Sequence, residues 1–501
     1  MESSVVKKVG GMGILMRHVL DLFFTRHDFR AGMLLNFEQP QMLFAKFGFM
    51  ISDEAAIKSV CGNKGAAGTV LCLQCQNCID HKADLTSHDV SERLVASTCT
   101  DMSRFRLHNA ESVQATLDYL RAQQPLLAKG AFAKLEQSLG FNWQNETVMS
   151  HEAVGGRLAV DTMYDWFHVY FVHGIANTHA GLFLGKLLAA GHAKKEIEDF
   201  IDGFSYPARL RGSKPHKVLD KRKASDPLKC SASETINFCI LLRVFVNLFV
   251  WDSATPPLKQ DCAAFYRLME VADMLLSLAR SHAPEGQASE LARRIRLHLD
   301  GFQEQCGIEH WTPKCHLALH LPLQLARHQL LISCFTHERK HKMVKKLANH
   351  VLDTSKAFEK SVLSDIALQS MRELSDEERM SLGVVRILSK RPAPRRLKDV
   401  LGPVLGTQEI FTAAQAVHGG GYLLSHNDAV CFTMDGCPRV GLAQYTVEAD
   451  GVCWTCVSPW ETVHGCVFRV KGEAFLVKTR GITDTCMFSL KGETAIVVLP
   501  D

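Results

Sequence analysis

Residues 313–346 contain a pair of histidines one helical turn apart and, further on, an isolated acid in a basic run. His316 and His320 are four positions apart, so on a helix both imidazoles project from one face and could share a metal ion. Glu338 is the only acid in HERKHKMVKK, where its basic neighbours include Arg339, Lys340, Lys345 and Lys346. Such a carboxylate suits a phosphodiester substrate, whose negative charge the cations neutralise. Taken alone, the run is also typical of a basic surface helix with a chance acid.

A second metal-ligand pattern lies upstream, in the glycine-rich segment 62–78. Cys72 and Cys75 have the C-x-x-C spacing that supplies half of a tetrahedral zinc site, and Cys78 leaves the register open. No second C-x-x-C follows nearby, so the other two ligands are remote or absent. A phosphate-binding loop is excluded because no Gly-Lys-Ser/Thr sequence ends the glycine run. A redox pair would open a helix of a thioredoxin-like unit, which the surrounding sequence does not indicate.

Two further acids could take part in chemistry. Asp53 follows the apolar run 42–51, so it either presents a carboxylate at a sheet edge or caps the helix that EAAIKSV predicts. Asp165 and His168 are three positions apart within the aromatic segment 161–177. They are either a buried acid–imidazole pair in or near a site, or a core helix in which the acid orients the histidine.

The composition limits the class of protein. A chain of 501 residues with 47% hydrophobic and 22% charged residues is typical of two or three globular domains. Its net charge of +4 is small, so any nucleic-acid affinity must come from local clusters. Seventeen cysteines, an odd number, without a recognisable signal peptide predict free thiols and a metal site in the cytosol or nucleus. The longest apolar stretch, 236–251, is interrupted by polar residues and predicts a buried helix rather than a membrane span.

Changes in residue composition along the chain predict the domain organisation. The loop 207–229 is basic and proline-containing, and its Lys221, Arg222 and Lys223 predict a DNA contact or a nuclear-localisation patch. After residue 400, short alternating strands separated by Gly, Asp and Asn predict a small β-barrel or sandwich. The predicted divisions are 1–90, a helical segment 91–310, a metal-binding and glutamate-bearing segment 311–388, a basic linker 389–400 and the β domain 401–501.

In chain order, Asp53, the C-x-x-C pair, the histidine pair and Glu338 form a pattern that resembles a known catalytic core. It is that of the cut-and-paste DNA transposases of the CACTA/Mirage/Chapaev type, which are distantly similar to the V(D)J recombinase catalytic subunit. The resemblance covers patches of residues 10–350. It implies an α+β multidomain protein with a ribonuclease-H-like core, in which two aspartates and a glutamate hold two Mg²⁺ or Mn²⁺ ions, and a large all-helical insertion.

The resemblance also assigns roles to single residues. Asp53 would be the second catalytic aspartate and Glu338 the catalytic glutamate. Cys72 and Cys75 would share one structural zinc with His316 and His320, with Cys315 as the alternative to His316. The segment containing Asp165 and His168 is similar to part of the insertion in CACTA-like elements.

One departure from the family pattern decides the expected activity. The family's first aspartate belongs on a strand upstream of residues 10–30, and this sequence begins too late to include it. We therefore expect a truncated, catalytically impaired, nuclear DNA-binding protein, with self-association left open. The alternative is a non-enzymatic nuclear scaffold with a structural zinc clip. A hydrolase built on Asp165 and His168 is disfavoured because no Ser or Cys stands in an elbow-like context.

Overall fold

The computed structural model describes residues 3–35, 40–80, 93–152, 154, 156–215, 218–219, 226–278, 285–334, 344, 358–375, 385–418, 423–434 and 436–499. The protein is mixed α and β with a C-terminal antiparallel sheet, which confirms that part of the prediction. It divides into two compact units. Unit 1 comprises Met1–Lys186, Lys223–Ala232 and Thr255–Thr336, and unit 2 comprises Leu187–Arg222, Ser233–Ala254 and His337–Asp501.

Unit 1 is mainly helical, with short strands. Its helices are α1 (Ser3–Val9), α2 (Met12–Asp21), α3 (Glu54–Cys61), α4 (Ala110–Gln123), α5 (Lys129–Leu139), α6 (Arg157–Val160), α7 (Trp166–Tyr170), α8 (Ile175–Ala189), α11 (Pro256–Leu278), α12 (Gln287–Cys306), α13 (Pro313–Ala318) and α14 (Leu321–His328). Its strands are β1 (Met33–Leu35), β2 (Gln41–Leu43), β3 (Met50–Ser52), β4 (Cys78–Ile79), β5 (Leu94–Val95) and β6 (Thr162–Tyr164). Helices α9 (Lys194–Asp202) and α10 (Ala232–Phe245) belong to unit 2.

The strands β3 and β6 form a parallel pair, in which Met50 faces Thr162 and Ser52 faces Tyr164. The backbone N–H of Asp165 continues the ladder by donating to the carbonyl oxygen of Ser52, at 3.3 Å. Strand β6 lies within the segment 91–310, which the resemblance implied to be all helical. Three residues are too few for periodicity to reveal a strand, so only the pairing with β3 defines it.

The core of unit 1 is built around α11 and α12, whose inward faces are apolar and fully buried. The rings of Phe183 and Phe265 stack there, with centroids 4.6 Å apart. Two histidines lie in the same core: the rings of His179 and His298 are nearly parallel, and their Nδ1 and Nε2 atoms are 3.2 Å apart. Neither histidine is accessible to solvent. Both rings therefore have to remain neutral in the folded protein.

We expect this histidine pair to make the protein acid-labile. Burial lowers the pKa of His179 to about 3, and Lys186 adds to the shift. Burial also lowers the pKa of His298 well below its usual range, with smaller contributions from His179 and Arg267. Unfolded histidine titrates near pH ~6.5, so below that pH the unfolded chain binds more protons and stability decreases. Below this pH, each histidine lowers the free energy of unfolding by up to ~1.4 kcal/mol per pH unit.

The measurement is the free energy of unfolding between pH 5 and 8 for the wild type and for the double variant His179→Phe/His298→Phe. The double variant removes both polar partners at once, which is close to neutral for a buried hydrogen bond. Its stability should decrease less steeply below pH ~6.5 than that of the wild type. Equal slopes in the two proteins would contradict the prediction, because acid effects at other histidines are common to both.

The described residues of unit 2 form the C-terminal sheet and four α-helices. The helices are α9 (Lys194–Asp202), α10 (Ala232–Phe245), α15 (Phe358–Ser375) and α16 (Arg395–Leu405). The strands are β7 (Val385–Leu388), β8 (Arg391–Pro392), β9 (Ile410–Ala413), β10 (Gln415–His418), β11 (Leu423–Ser425), β12 (Ala429–Met434), β13 (Cys437–Ala449), β14 (Val452–His464), β15 (Val467–Val470), β16 (Phe475–Lys478), β17 (Ile482–Cys486), β18 (Phe488–Lys491) and β19 (Thr494–Val497).

The main sheet of unit 2 follows the pairing path β17-β12-β13-β14-β15-β19-β18. Its two end strands are consecutive in the chain, with Met487 alone between them, so both ends of the path lie on one segment, 482–491. A register shift between Ala443 and Tyr445 bends β13, whose C-terminal half pairs with β9. Trp460, Phe468 and Phe488 pack into a shared apolar core with the other inward residues of this path.

The segment predicted as a linker, 389–400, is folded in the structure. It forms β8, which pairs with β9, and the first half of α16. Leu397, Leu401 and Leu405 recur every fourth position and pack against the sheet. Of the basic residues and prolines that suggested a linker, Arg391 and Pro392 form β8, Pro394 is the N-cap residue of α16, and Arg395, Arg396 and Lys398 lie in the helix. The predicted boundaries at 90, 310 and 388 stay predictions.

One helix among the described residues, Ala232–Val250, is long and apolar enough to cross a bilayer by length and composition. It comprises α10 and a π-helical turn, Val246–Val250. It starts four residues before the apolar stretch recognised in the sequence. Since 56% of its most apolar window is buried within the protein, it equally has the character of a core helix.

Candidate functional site

Four side chains that are distant in sequence converge in unit 1. The sulfur atoms of Cys72 and Cys75 lie 3.3 and 3.4 Å from Nε2 of His320, which is 3.2 Å from Nε2 of His316. The four ligand atoms lie within 4.8 Å of one another, and all four residues are buried. Two thiols and two imidazoles in such a group are the usual donors of a structural zinc site. The group could therefore hold a metal ion such as zinc.

The cysteine half of the group is held in a tight backbone loop. Helix α3 is followed by its C-cap residue Gly62, whose φ of 67° and proximity to the Asn142 carbonyl oxygen leave little room for a side chain. Beyond it, the N–H of Gln74 points to the sulfur of Cys72 at 3.4 Å, and the N–H of Leu71 donates to the carbonyl oxygen of Cys78. An amide directed at the first sulfur stabilises the thiolate that a metal requires.

The histidine half comes from two short helices rather than one. Helix α13 begins with Pro313 at its first turn and ends at Ala318, and His320 is the N-cap residue of α14. Leu319 and His320 both keep helical dihedral angles, so the four-residue spacing still directs both rings to one side. Cys315 lies outside the group; its sulfur is 3.9 Å from Oγ1 of Thr312. His316 rather than Cys315 is thus the fourth member.

The electrostatics of the group suit a cation. Burial opposes ionisation of Cys72, but the hydrogen bond with Cys75 and the imidazoles of His320 and His316 bring its pKa well below the usual range. Burial and the adjacent Cys72 thiolate hold the pKa of Cys75 well above it. Burial also lowers the pKa of His316, which keeps the ring neutral. A metal ion would compensate the negative charge that the second thiolate adds.

A pocket with two aspartates lies beside this group. Asp53 and Asp165 directly follow the parallel strands β3 and β6, so both acids emerge at the same end of the strand pair. The pocket has a volume of about 320 Å³ and is open to solvent. Its lining also includes Glu54, Lys58, His168 and Lys314.

The two aspartates have different surroundings. Asp165 is fully buried, and its carboxylate accepts hydrogen bonds from Nδ1 of His168 (2.5 Å) and from the N–H groups of Phe167 and Cys334. Asp53 is partly exposed, and its Oδ1 caps α3 by accepting from the N–H of Ala56 at 2.7 Å. Its Oδ2 lies 4.0 Å from Nε2 of His168. Asp53 is thus both a strand-end acid and a helix cap, the two alternatives that the sequence left open.

Two polar contacts connect the pocket to the metal-ligand group. The hydroxyl of Tyr164, the residue before Asp165, lies 3.4 Å from the sulfur of Cys72. The ammonium of Lys314, two residues before His316, donates to the carbonyl oxygens of His168, Val172 and His173. The position of His168 is therefore linked to both halves of the metal-ligand group.

Two glutamines add to this connection. Gln74, which lies between the two cysteine ligands, donates to the carbonyl oxygen of Thr162 at 2.6 Å. Gln324 on α14 accepts from the N–H of Tyr164 at 3.1 Å. Both side chains thereby satisfy backbone groups of β6. Tyr164, Lys314 and the two glutamines were not recognised in the sequence, because no spacing rule identifies residues that act through distant contacts.

Several predicted site residues lie outside the described part of the chain. They are Glu338, Lys221, Arg222, Lys223, Arg339, Lys340, Lys345 and Lys346. The proximity of Glu338 to Asp53 and the DNA-contacting role of the basic residues stay predictions.

No family model matches this chain, and no curated protein matches it. The resemblance to a transposase family therefore stays a prediction from the sequence motifs.

Proposed function

We propose that this chain is a DNA-binding protein of the CACTA/Mirage/Chapaev transposase type. In this proposal a structural zinc bound by Cys72, Cys75, His316 and His320 fixes a carboxylate pocket on a ribonuclease-H-like core. The observation that carries the proposal is the convergence of the cysteine and histidine pairs beside Asp53, the acid to which the resemblance assigns catalysis. The motifs follow one another along the chain in the family's order, and the cysteine pair, the histidine pair and Asp53 lie close together in space. Both features support a common ancestry with that family.

The strand arrangement is consistent with this proposal. In α/β folds, functional side chains gather where parallel strands end. Strands β3 and β6 provide such an edge, with Asp53 and Asp165 at its two positions. The main C-terminal sheet, whose pairing path begins and ends on the segment 482–491, is likewise consistent with the small β-barrel or sandwich that the sequence predicted.

We infer that DNA cleavage by this chain is impaired. Within the described residues, β3 pairs with β6 alone, so no other strand presents a further aspartate beside Asp53. Asp165 does not take the place of that missing aspartate, because the Asp165 carboxylate already accepts three hydrogen bonds from neighbouring groups. Mg²⁺ or Mn²⁺ ions in the pocket would activate water and stabilise the leaving oxygen. Asp53 would hold such an ion, and Glu338 would complete its binding.

The DNA contact is proposed for two basic segments, which contain Lys221–Lys223 and Arg339–Lys346. The first also serves as a nuclear-localisation patch in this proposal. Each cation that neutralises a phosphate releases a counterion, so the affinity for duplex DNA should decrease as salt increases. The alternative function, a nuclear scaffold with a structural zinc clip, needs the metal-ligand group but neither the basic segments nor an acid in the pocket.

The test is binding to a labelled DNA duplex at several salt concentrations. The triple variant Lys221→Ala/Arg222→Ala/Lys223→Ala should bind more weakly, and its slope of log K against log salt should be smaller by about 2–3. The matched control is Arg395→Ala/Arg396→Ala/Lys398→Ala, which removes the same number of cations from α16 and should keep the wild-type slope. No binding even at low salt would reject the proposal in favour of the scaffold.

A nicking assay on supercoiled plasmid with Mg²⁺ or Mn²⁺ tests the impairment. We expect little or no product from the wild type and none from Asp53→Asn. Rapid nicking that disappears in Asp53→Asn would contradict the impairment and show an active nuclease.

A further inference from the structure

Two cysteines meet on neighbouring strands of the main C-terminal sheet. Cys431 lies in β12, Cys486 is the last residue of β17, and their sulfur atoms are 3.3 Å apart. In the antiparallel pairing of these strands Cys486 faces Ala429, so Cys431 is its diagonal neighbour. Residues two positions apart on a strand share a face, which places both thiols on the same side of the sheet. Both cysteines are free in the structure.

The two sulfur atoms need only a small movement to bond. A disulfide has an S–S distance of about 2.05 Å, so the sulfur atoms have to approach each other by about 1.3 Å. The pairing register shifts directly after the first cysteine, between Cys431 and Phe432, and such an irregularity locally releases the backbone from the regular ladder. Diagonal neighbours are farther apart than the residues that most disulfides connect, which makes the bond easier to reduce. The position therefore suits a reversible disulfide.

The surrounding structure keeps the two thiols together. Arg209 holds β17 by donating to Oδ1 of Asp484 (2.7 Å) and to the carbonyl oxygen and Oγ1 of Thr485 (2.8 and 3.0 Å). Cys486 belongs to a buried apolar core of the sheet, and Cys431 packs against the same core. The contact between the sulfur atoms is thus maintained by hydrogen bonds and packing that do not depend on a bond between them.

The two thiols differ in exposure and in acidity. Cys431 is partly exposed, whereas Cys486 is only 3% exposed. The hydrogen bond with Cys486 lowers the pKa of Cys431, although burial and the Asp484 carboxylate oppose this shift. The same hydrogen bond, together with burial, raises the pKa of Cys486. A partly exposed thiolate beside a protonated, buried thiol is typical of redox-sensitive cysteine pairs.

We propose that Cys431 and Cys486 form a reversible disulfide when the protein meets a peroxide, with Cys431 as the thiol that reacts first and Cys486 as the resolving thiol. This inference goes beyond the proposed function and does not depend on it, because the metal-ligand group and the acidic pocket take no part. The competing arrangement is a packing contact between two thiols that stay reduced.

The reaction balances with hydrogen peroxide as the oxidant. The Cys431 thiolate attacks one peroxide oxygen, the O–O bond breaks, and the departing hydroxide takes up the proton that Cys431 released, which gives water and a sulfenic acid. The Cys486 sulfur then attacks the sulfenic sulfur, so that the S–S bond forms, the S–O bond breaks, and the hydroxyl leaves with the Cys486 proton as a second water. Two thiols are oxidised by two electrons, and a small dithiol reverses the change by thiol–disulfide exchange.

The disulfide should stabilise the C-terminal sheet. It joins residues that are 55 positions apart and encloses β13, β14, β15 and β16 in one loop. A cross-link across a loop of this length restricts the unfolded chain. The melting temperature of the oxidised protein should therefore exceed that of the reduced protein by at least about 5 °C.

The experiment is peptide mapping of the full, zinc-loaded chain after hydrogen peroxide treatment and alkylation of the remaining thiols. Peroxide is kept below the concentration that releases zinc. Trypsin leaves Cys431 with Cys437 in the peptide 399–439 and Cys486 in the peptide 481–491. The wild type should give these two peptides joined with the loss of two hydrogen atoms, and dithiothreitol should separate them.

Variants identify the linked residues and their roles. The matched control Cys437→Ser removes the other, exposed cysteine of the first peptide and should keep the link. Cys431→Ser should abolish both the link and the increase in melting temperature. In Cys486→Ala, dimedone, a reagent for sulfenic acids, should label Cys431, because no thiol is left to resolve the sulfenic acid. Circular dichroism of the reduced variants verifies that each is folded.

The absence of the link in peroxide-treated wild type would overturn the proposal, and this test requires no variant to fold. The proposal also fails if the link disappears in Cys437→Ser or if dithiothreitol does not separate the peptides. The assigned order of reaction is rejected if dimedone labels Cys486 in Cys431→Ser as strongly as it labels Cys431 in Cys486→Ala.

Discussion

Cys72→Ala and His320→Ala should each lose the bound zinc and lower the melting temperature by at least about 10 °C. The two residues belong to segments that are far apart in the chain, and the metal joins them inside a buried group. Structural zinc contributes about 10–16 kcal/mol to the folding of small zinc peptides. Even a loss of about 5 kcal/mol corresponds to roughly 10–20 °C in a unit of this size.

The measurements are zinc content by elemental mass spectrometry and thermal unfolding of the purified chain. Cys315→Ala and Cys78→Ala are matched controls, because both thiols are buried and close to a ligand in sequence but lie outside the group. Each control should retain one zinc and lose only the small stability that a buried thiol contributes. Zinc retained in His320→Ala, or lost in Cys315→Ala, would reject the ligand set.

Asp165→Ala should lower the free energy of unfolding by about 3–5 kcal/mol, the usual cost of removing one partner of a buried ionic contact. Three donors would lose their acceptor: Nδ1 of His168 and the N–H groups of Phe167 and Cys334. Alanine also removes the cap of α7. Chemical denaturation at neutral pH measures the change, with zinc content monitored to separate this effect from loss of the metal.

The control for this variant is Asp118→Ala, which removes an exposed carboxylate paired with Arg121 on the surface of α4. Exposed pairs contribute only about 0–1 kcal/mol, so the control should be close to wild type. If Asp165→Ala were as stable as Asp118→Ala, the three hydrogen bonds would not contribute to folding and the orientation of His168 would need another origin.

The position of the pocket relative to the metal-ligand group indicates how stability and function are coupled. Tyr164 contacts Cys72 and is followed by Asp165, while Lys314 holds the backbone of His168 and precedes His316 by two residues. Loss of the metal should therefore displace Asp53 and Asp165, although neither aspartate belongs to the metal-ligand group. A scaffold with a zinc clip would not require this connection.

Local sequence determined the parts of the site that depend on short spacing. A C-x-x-C pair positions its two sulfur atoms through the backbone between them, and a four-residue spacing places His316 and His320 on one side of a helical segment. An acid before EAAIKSV predicted the cap that Asp53 forms, and alternating strands predicted the C-terminal sheet. Each of these patterns needs only neighbouring residues, so the sequence contains enough information to reveal it.

Tertiary structure alone decided which of these pieces meet. The parallel pairing of β3 with β6 brings Asp53 next to Asp165 and His168. This pairing could not be predicted, because a strand of three residues is too short to show a periodic pattern. The same is true of the folded segment 389–400, where the apolar face of α16 outweighs its basic composition. Contacts between residues a hundred or more positions apart depend on packing and loop closure, which no local pattern encodes. The sequence therefore named the candidate ligands, and the fold determined which of them share a site.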